Sequence, residues 1–520
     1  MSAISTRGRV HVMVVTTTFT VEVMCGFPDR IAGHFDHRVH LVADGRCAHR
    51  SKKVRDRLAA PPGEDRGCLR TERIRGTVRE TRLGTDTSRC GRGGPIARPP
   101  LLLRLVGGFD ILRQPNYRRF LTGQVFSLVG TWMQRIAQDW LVLELSGKDP
   151  VALGVATGLQ FLPVLFLSLW AGVLADRLNV RRALMVLQSL MGMCALVLGL
   201  LELTGSVRLW HVYLLCFALG CLSALDAPIF ESFVVEMVGK DDVSKAVALN
   251  STTFNVSRVV GPALAGWAIG WWGTGPVFLC NTVSFAAVVA GLMATDPSTL
   301  HRRPTARRAR GQLGEGLHYT WNDPDLMLLM GLTLVVGTLA SFSTAVATAA
   351  AKVFGAGAGS FGLLSTLLAL GMLAGSIITS LRGKTSLERL RVLLVRSAAL
   401  LGVLDLALGL MPGIWLFGLL LVGTGTAATV FVIAAHTTVQ MSVSDEVRGR
   451  VTGLYMLVLL GGTPLGGPLT GWLADALGGR APFVLGGAAI LLAAGIVAAA
   501  FHRRHGRTAA DARAVGPSTT

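Results

Sequence analysis

The chain has 520 residues, of which 51% are apolar and only 16% are charged, and its formal net charge is +19. This apolar excess excludes an ordinary soluble protein, because a soluble protein needs a polar face on each surface helix. A strongly positive charge can indicate nucleic-acid binding. Here the basic residues fall in the front segment and in short loops between apolar stretches, so we predict no nucleic-acid partner.

Residues 1–105 differ in composition from the rest of the chain. Val10–Met24 is apolar but too short to cross a bilayer, and 46–100 is crowded with Arg, Gly, Asp and Thr without a helical or alternating period. We predict that 1–105 is a disordered basic extension or reflects a start assigned too far upstream. Its cysteines have neither CxxC spacing nor suitably placed histidines, so we predict no metal or other cofactor.

Twelve apolar stretches follow between Phe120 and Phe501. A helix needs about 20 apolar residues to cross a hydrocarbon core of about 30 Å. We therefore predict an all-α membrane protein with twelve transmembrane helices. The predicted spans are Phe120–Leu145, Val151–Ala175, Ala183–Leu203, Leu209–Phe230, Ala246–Trp271, Gly275–Ala294, Leu326–Ala351, Gly359–Leu381, Val392–Met411, Gly413–Ala435, Val451–Leu473 and Pro482–Phe501.

The two sets of six spans resemble each other. The sequence "DDVSKAVALN…GPALAGW" at Asp241–Trp267 returns as "DEVRGRVTGL…GGPLTGW" at Asp445–Trp472, and other landmarks recur at a similar offset. Such a duplication predicts two pseudo-symmetric halves around a central cavity. The predicted segments are an N-terminal half at 106–295, a basic cytoplasmic linker at 296–325, a C-terminal half at 326–502 and a cytoplasmic tail at 503–520.

The loop charges predict the orientation of the bundle. If residue 115 is cytoplasmic, nearly all loop arginines and lysines lie on the cytoplasmic side, where positive charge is enriched in membrane proteins. The outer turns then carry only Lys148, Arg208, Lys352 and Arg480. We predict a multi-pass protein of the cell membrane with both termini in the cytoplasm.

Two motifs resemble signatures of the major facilitator superfamily. The sequence "GVLADRLNVRR" resembles the cytoplasmic loop signature GxLADRxGRR, with Asn179 and Val180 as departures. "RVVGPALAGW" resembles the antiporter signature of that superfamily, with Ala265 at an expected glycine. The resemblance implies a cytoplasmic gate loop and a kinked helix. The gate residues are Gly172, Asp176, Arg177, Arg181 and Arg182, and the kink residues are Gly261, Pro262 and Gly266.

Longer phrases resemble one branch of this superfamily, the transmembrane secretion effectors, which includes enterobactin-type exporters and macrolide-type efflux proteins. They include "GTWMQRIAQDWLVLELSG" and "SALDAPIFESFVVEMV", and the resemblance covers about residues 109–505. It implies export of a small amphipathic molecule driven by the proton gradient. The loop pattern itself is also compatible with an ordinary positive-inside turn.

Charged residues inside the predicted spans are expensive and need a reason. Arg135 and Asp139 lie one helical turn apart, so they share a face and can pair. One interpretation is a neutral pair that packs the bundle. The other makes Asp139 the carboxylate that carries the coupled proton, with Arg135 tuning its proton affinity.

Arg258 lies near the middle of the fifth predicted span and has no evident partner on its own helix. We expect it to act either as a counter-charge, with Asp226 as a candidate partner, or as a binding group for an anion. Further candidates for a proton relay or a cavity wall are Asp405, His436, Gln160, Asn255 and Asn281.

The resemblance therefore implies a proton-coupled exporter of an amphipathic small molecule, which we expect to act as a monomer by alternating access. Glu446, Arg448 and Arg450 are expected to help the gate loop close the cytoplasmic side. The alternative is an importer of a nutrient or siderophore on the same fold, and a remote alternative is a membrane-embedded enzyme or sensor. The sequence contains neither a GxxxxGK[ST] loop nor an HExxH motif. This disfavours direct use of ATP and zinc-dependent hydrolysis of a substrate.

Overall fold

The computed structural model describes residues 2–5, 10–12, 39–41, 109–301, 312–340, 342–383, 385–444 and 447–514, and at 168–177 and several element ends it describes the backbone alone. The chain divides into two compact units, Met1–Ala97 and Arg98–Thr520. In the first unit, three short strands form an antiparallel sheet in the order β2-β1-β3: β1 (Ser2–Ser5), β2 (Val10–Val12) and β3 (Val39–Leu41). Most of 1–105 lies outside the described residues, so the predicted extension stays a prediction.

The second unit is helical throughout its described part. A 3₁₀ turn at Phe109–Arg113 precedes the N-terminal half, and another at Pro297–Thr299 follows it. The helices of this half are α1 (Pro115–Leu145), α2 (Pro150–Arg177), α3 (Val180–Leu203), α4 (Leu209–Trp272) and α5 (Thr274–Met293).

The C-terminal half begins with a short helix that lies before its first span. Its helices are α6 (Gln312–Asn322), α7 (Pro324–Leu339), α8 (Phe342–Thr348), α9 (Ala358–Leu381), α10 (Leu387–Leu410), α11 (Ile414–Ser442), α12 (Arg448–Ala476) and α13 (Ala481–Ala514). A π-helical turn at Ala349–Val353 continues α8.

Nine stretches of the described residues are long and apolar enough to span a membrane. The remaining three predicted spans fall on α1, the second part of α4 and α12. Polar residues such as Gln134 and Asp139 lower the hydropathy of α1. An all-helical membrane bundle is confirmed, and the count of twelve spans stays a prediction.

The loop predicted between the fourth and fifth spans is wrong in extent. The helix continues past Phe230, and the chain reverses only at Gly239, whose φ of 73° suits a residue without a side chain. Phe233 and Met237 are buried in the N-terminal half, so packing extends the helix beyond the predicted apolar stretch.

The seventh predicted span is interrupted. Its sequence predicts one helix over Leu326–Ala351, but α7 ends at Leu339 and α8 begins at Phe342. Broken helices at membrane depth are tolerated where the freed backbone lines a cavity or is buried in protein. Ala340 and Phe342, at this break, line a cavity between the two halves.

Helices pair in the same way in both halves. α2 packs on the first part of α4 as α9 packs on α11, and α3 packs on α5 as α10 packs on α13. The halves meet where α2 crosses α12 and where the second part of α4 crosses α9. This repeated pairing agrees with the duplication seen in the sequence.

Three groups of buried residues show where the halves join. One group contains residues of both halves, including Trp140, Ala265 and Phe361. The other two lie at the opposite end of the bundle and belong to one half each, around Tyr117 in the first and Tyr455 in the second. We call the shared end the closed end. The loop charges predict that it faces outward.

Glycines allow the close approach at the closed end. A Cβ atom on Gly266 of α4 would lie 3.0 Å from the Cα atom of Gly362 in α9. A Cβ atom on Gly467 of α12 would lie 2.8 Å from the carbonyl oxygen of Gly154 in α2. Small residues at such crossings let helix backbones touch in membranes.

Candidate substrate cavity

A cavity of about 230 Å³ lies between the two halves. It is lined by α1, α2, the second part of α4, α8, α9 and α12. Three of these, namely α1, the second part of α4 and α12, hold the predicted spans that are not among the nine long apolar stretches. Helices that line a polar cavity are expected to be less apolar than helices facing lipid alone. The lining residues are Trp132, Arg135, Ile136, Asp139, Thr157, Gln160, Phe161, Arg258, Pro262, Ala340, Phe342, Ser343, Thr344, Val346, Ser365, Leu368, Ala369, Met372 and Thr463.

Asp139 is the carboxylate of this wall. It is only 4% exposed, and it accepts a short hydrogen bond from the hydroxyl of Ser343 at the start of α8. The predicted contact with Arg135 takes a different form. Both side chains line the cavity, but they are not within the 4.0 Å of an ion pair.

Arg135 and Arg258 instead both contact one aromatic ring. Their guanidinium carbons lie 5.0 Å and 5.4 Å from the ring centre of Trp132, and that of Arg135 also lies 5.3 Å from the ring of Phe161. These distances are typical of cation–π contacts. The two rings and the two cations form one cluster on the wall of the cavity.

The candidate partner of Arg258 proposed from the sequence is occupied elsewhere. Asp226 accepts a hydrogen bond of 2.9 Å from Gln188 of α3. It does not line the cavity, whereas Arg258 does. Because Asp226 is bonded to α3 and lies off the cavity wall, the two charges do not meet.

Several predicted polar residues serve the packing of helices. Asn281 of α5 donates to Gln134 of α1, and Gln138 donates to Gln160 across 3.4 Å. Asn255 donates to the carbonyl of Ser251 on its own helix. Among these residues only Gln160 also lines the cavity.

Asp405 and His436 lie away from the cavity wall. Asp405 is 3% exposed in α10, and its Oδ1 atom has no hydrogen-bond partner among the described residues. His436 stacks on Tyr455 with ring centres 5.5 Å apart. The structure does not bring either residue to Asp139.

The predicted gate loop is described only in part. Gly172, Asp176 and Arg177 fall in the last turns of α2, and their side chains lie outside the described residues. The side chain of Asn179 accepts from the backbone N–H of Arg182 and so caps α3, which gives a reason for asparagine at this departure from the signature.

Arg181 reaches the end of a neighbouring helix. Its guanidinium donates to the carbonyls of Leu292 and Met293 at 2.7 Å and 2.9 Å. Cations at a helix C-terminus satisfy carbonyls that have no partner in the helix. Just beyond, Asp296 accepts from the backbone and hydroxyl of Ser298, and these bonds lower the pKa of its carboxyl.

On the C-terminal side, the expected gate residues are also partly described. Arg448 donates to the backbone carbonyl of Gln440, and Arg450 lies in the first turn of α12. Glu446 lies outside the described residues. Their part in a gate stays a prediction.

The kink residues of the second motif lie at the cavity. Pro262 lines it directly, and Gly261 lies against Trp132, where a side chain on the glycine would collide with the tryptophan. Gly266 lies one turn further along, at the crossing with α9. These contacts explain the small residues by helix packing.

Sequence reasoning missed Trp132, Ser343 and the hydroxyl pair of Thr157 and Thr344. Thr157 of α2 and Thr344 of α8 lie 3.2 Å apart and join the halves. Trp132 lies one turn before Arg135, a spacing that favours a cation–π contact and could have pointed to it. Ser343 carried no local signal, because its contact with Asp139 spans 204 positions of the chain.

The chain is similar in sequence to known membrane transporters. The sequence profile of the transmembrane secretion effector family matches residues 106–517. The Staphyloferrin A transporter of Staphylococcus aureus (strain NCTC 8325 / PS 47) is 24% identical over 365 residues, which are 69% of this chain and 89% of that protein.

The multidrug efflux pump Tap of Mycolicibacterium fortuitum is 26% identical over 368 residues, which are 68% of this chain and 88% of that protein. Among solved structures, a bacterial homologue of the human lysosomal transporter Spinster, in an inward-facing and occupied conformation, is similar in fold. Its TM-score is 0.59 at 14% identity, over 75% of this chain and 97% of that one.

The predicted resemblance is therefore confirmed, and the relatives are membrane transporters. The chain belongs to the transmembrane secretion effector family of the major facilitator superfamily.

Proposed function

We propose that this chain exports an amphipathic small molecule by alternating access, and that protonation of Asp139 couples its cycle to the proton gradient. The substrate is a drug, a secondary metabolite or a siderophore. The observation that carries the proposal is the position of Asp139, a buried carboxylate that lines the central cavity and contacts Ser343 of the other half.

The wall of the cavity suits an amphipathic molecule. Phe161, Phe342, Leu368 and Met372 offer apolar surface, whereas hydroxyl and charged groups lie among them. Binding pockets commonly combine a mainly apolar lining with a few polar groups that orient the ligand. A molecule with one apolar body and one polar group fits this arrangement.

The packing of the halves suits alternating access. At the closed end, buried residues of both halves share one cluster, and at the other end each half has its own. Rocking of one half against the other around a central site would exchange which end is closed. The predicted gate loop after α2 would close the cytoplasmic end in the opposite state, with the protein acting as a monomer in the cell membrane and both termini inside.

Similarity to a multidrug efflux pump supports export. The Staphyloferrin A transporter is named for a siderophore, and its name gives no direction of movement. Proton-coupled import on the same fold is therefore the second candidate. Both candidates require a carboxylate in the cavity.

The test uses purified protein in liposomes with an imposed pH gradient. Movement of a fluorescent amphipathic dye and of protons is followed together for the unaltered chain, Asp139→Asn and Asp405→Asn. Asp405 is a matched control, because it is an equally buried aspartate that does not line the cavity. We expect gradient-dependent transport that Asp139→Asn abolishes and Asp405→Asn retains. Dye movement that persists unchanged in Asp139→Asn would rule out Asp139 as the coupling residue.

A further inference from the structure

We infer that the transported molecule carries an anionic group, such as a carboxylate or sulfonate, that binds between Arg135 and Arg258 beside Trp132. The inference rests on the proposed transport function but not on its direction. The two arginines would bind the charged group of the substrate, and the apolar wall would bind the rest.

Arg135 and Arg258 are the two cations of the cavity wall. They lie on α1 and on the second part of α4, and both guanidinium carbons lie within 5.4 Å of the Trp132 ring centre. Two positive charges beside one ring repel each other. A position close to both is therefore favourable for a negative charge.

The cavity wall carries an excess of positive charge. Neither arginine has a carboxylate within ion-pair distance in the part of the chain that the structure describes. Among the described lining residues, the charged groups are these two arginines and Asp139. The wall thus carries at least one positive charge in excess, and an unpaired cation at membrane depth is expensive.

The contacts with aromatic rings leave N–H donors of both arginines available to a ligand. A cation–π contact uses the face of a guanidinium and leaves its N–H groups at the edge free. Arginine presents these donors as a planar fork that matches a carboxylate or sulfonate. Trp132 and Phe161 therefore hold the arginines in place without satisfying their hydrogen bonds.

Trp132 is packed against neighbouring residues. A side chain on Gly261 would collide with the Cβ atom of Trp132, so the glycine leaves room for the tryptophan. The indole packs edge-on against Phe254, with ring centres 5.7 Å apart. These contacts restrict the motion of Trp132 and favour a preorganised anion site beside it.

The test measures binding of three dansyl probes that share one fluorophore and differ in charge. Dansylglycine is anionic, its amide is neutral and dansylcadaverine is cationic. Affinities are measured at pH 7.5 on the full chain in nanodiscs of neutral lipid, with empty nanodiscs subtracted. The variants are Arg135→Gln, Arg258→Gln and Arg258→Lys, with Arg389→Gln as a control at an exposed arginine outside the cavity.

We expect dansylglycine to bind at least about tenfold more tightly than its amide, and each glutamine variant to lose about tenfold or more of this affinity, as for loss of a charge-assisted hydrogen bond. Arg258→Lys should retain part of it, and Arg389→Gln all of it. Equal affinity for the anionic and neutral probes, or tighter binding of the cationic probe, would overturn the inference.

Protein folding is checked by elution profile and thermal unfolding, and the unaltered chain alone already gives the comparison among probes. Because the assay reads binding, failure of transport in liposomes leaves this result intact. Transport of neutral and anionic dyes without preference would support the proposed function and reject the anionic site.

Discussion

Ser343, at the start of α8, donates a hydrogen bond to Asp139 of α1. A hydroxyl of the C-terminal half thus holds the carboxylate of the N-terminal half at the closed end of the bundle. Nearby, Trp140 stacks on Phe361 across the same boundary, with ring centres 6.3 Å apart. The protonation state of one carboxyl is therefore linked to the contact that joins the halves.

Replacing Ser343 by alanine should loosen the closed end. A hydrogen bond to a charged group contributes about 1.5–3 kcal/mol, so the population open at this end should rise at least about tenfold. Distances between spin labels placed on the two halves at the closed end would report it. Ser365→Ala is the control, because Ser365 lines the cavity without a described hydrogen bond across the halves. Identical distance distributions in both variants would contradict the role given to Ser343.

Anion binding should tighten as the pH falls below 7.5, over the range in which the Asp139 carboxyl takes up its proton. The described charged and titratable groups around the Asp139 carboxyl are Arg135, Arg258 and the thiol of Cys216. The arginines keep their charge over this range, and an ordinary thiol keeps its proton. Protonation of Asp139 removes the negative charge that opposes the anion. The Kd of dansylglycine should therefore fall on acidification.

Asp139→Asn should bind dansylglycine at pH 7.5 as tightly as the unaltered chain does in acid, with no further pH dependence. The result would show that the negative charge of Asp139 opposes anion binding at this site. Weaker binding in acid would contradict that repulsion.

Gly266→Ala should slow transport, since its Cβ atom would lie 3.0 Å from the backbone of Gly362 and prevent full closure of this end. Gly270→Ala, one turn along the same helix, is the control because its Cβ atom would meet nothing within 4 Å. We expect dye transport in liposomes to fall about tenfold or more in the first variant. The second should match the unaltered chain, apart from a small gain in helix stability. Equal rates in both variants would show that this crossing tolerates a methyl group.

Arg181→Ala should destabilise the N-terminal half by about 1–3 kcal/mol, because two carbonyls at the end of α5 lose a charged donor. The Tm of the purified protein, followed by light scattering or fluorescence, should drop by several degrees. Arg182→Ala is the matched control, since its exposed side chain has no described contact of this kind. An equal drop in both variants would indicate a general charge effect.

The sequence located the charged cavity residues but not their partners. Arg135, Asp139 and Arg258 stand out because charges are rare inside apolar stretches, and the structure brings all three to one cavity. Spacing along α1 suggested a pair between the first two, yet Asp139 bonds to Ser343. Side-chain partners on distant helices depend on how each helix is rotated, and one sequence does not determine that rotation.

The helix boundaries likewise depend partly on the local sequence and partly on contacts with distant helices. The span lengths and the glycine-rich crossings follow from hydropathy and residue size. The extension of α4 to Gly239 depends on burial of Phe233 against other helices, and the break between α7 and α8 depends on contacts of the cavity. These features were missed because their causes lie outside the local sequence.

The excess of positive charge around Trp132 has an electrical consequence for the direction of transport. Bacterial and other cells keep their interior negative, and one elementary charge crossing 100 mV changes its free energy by about 2.3 kcal/mol. For a monoanion this corresponds to a concentration ratio of about 50 in favour of the outside. A carrier that selects anions at Arg135 and Arg258 would thus have the membrane voltage on the side of export, even where the pH on both sides is equal.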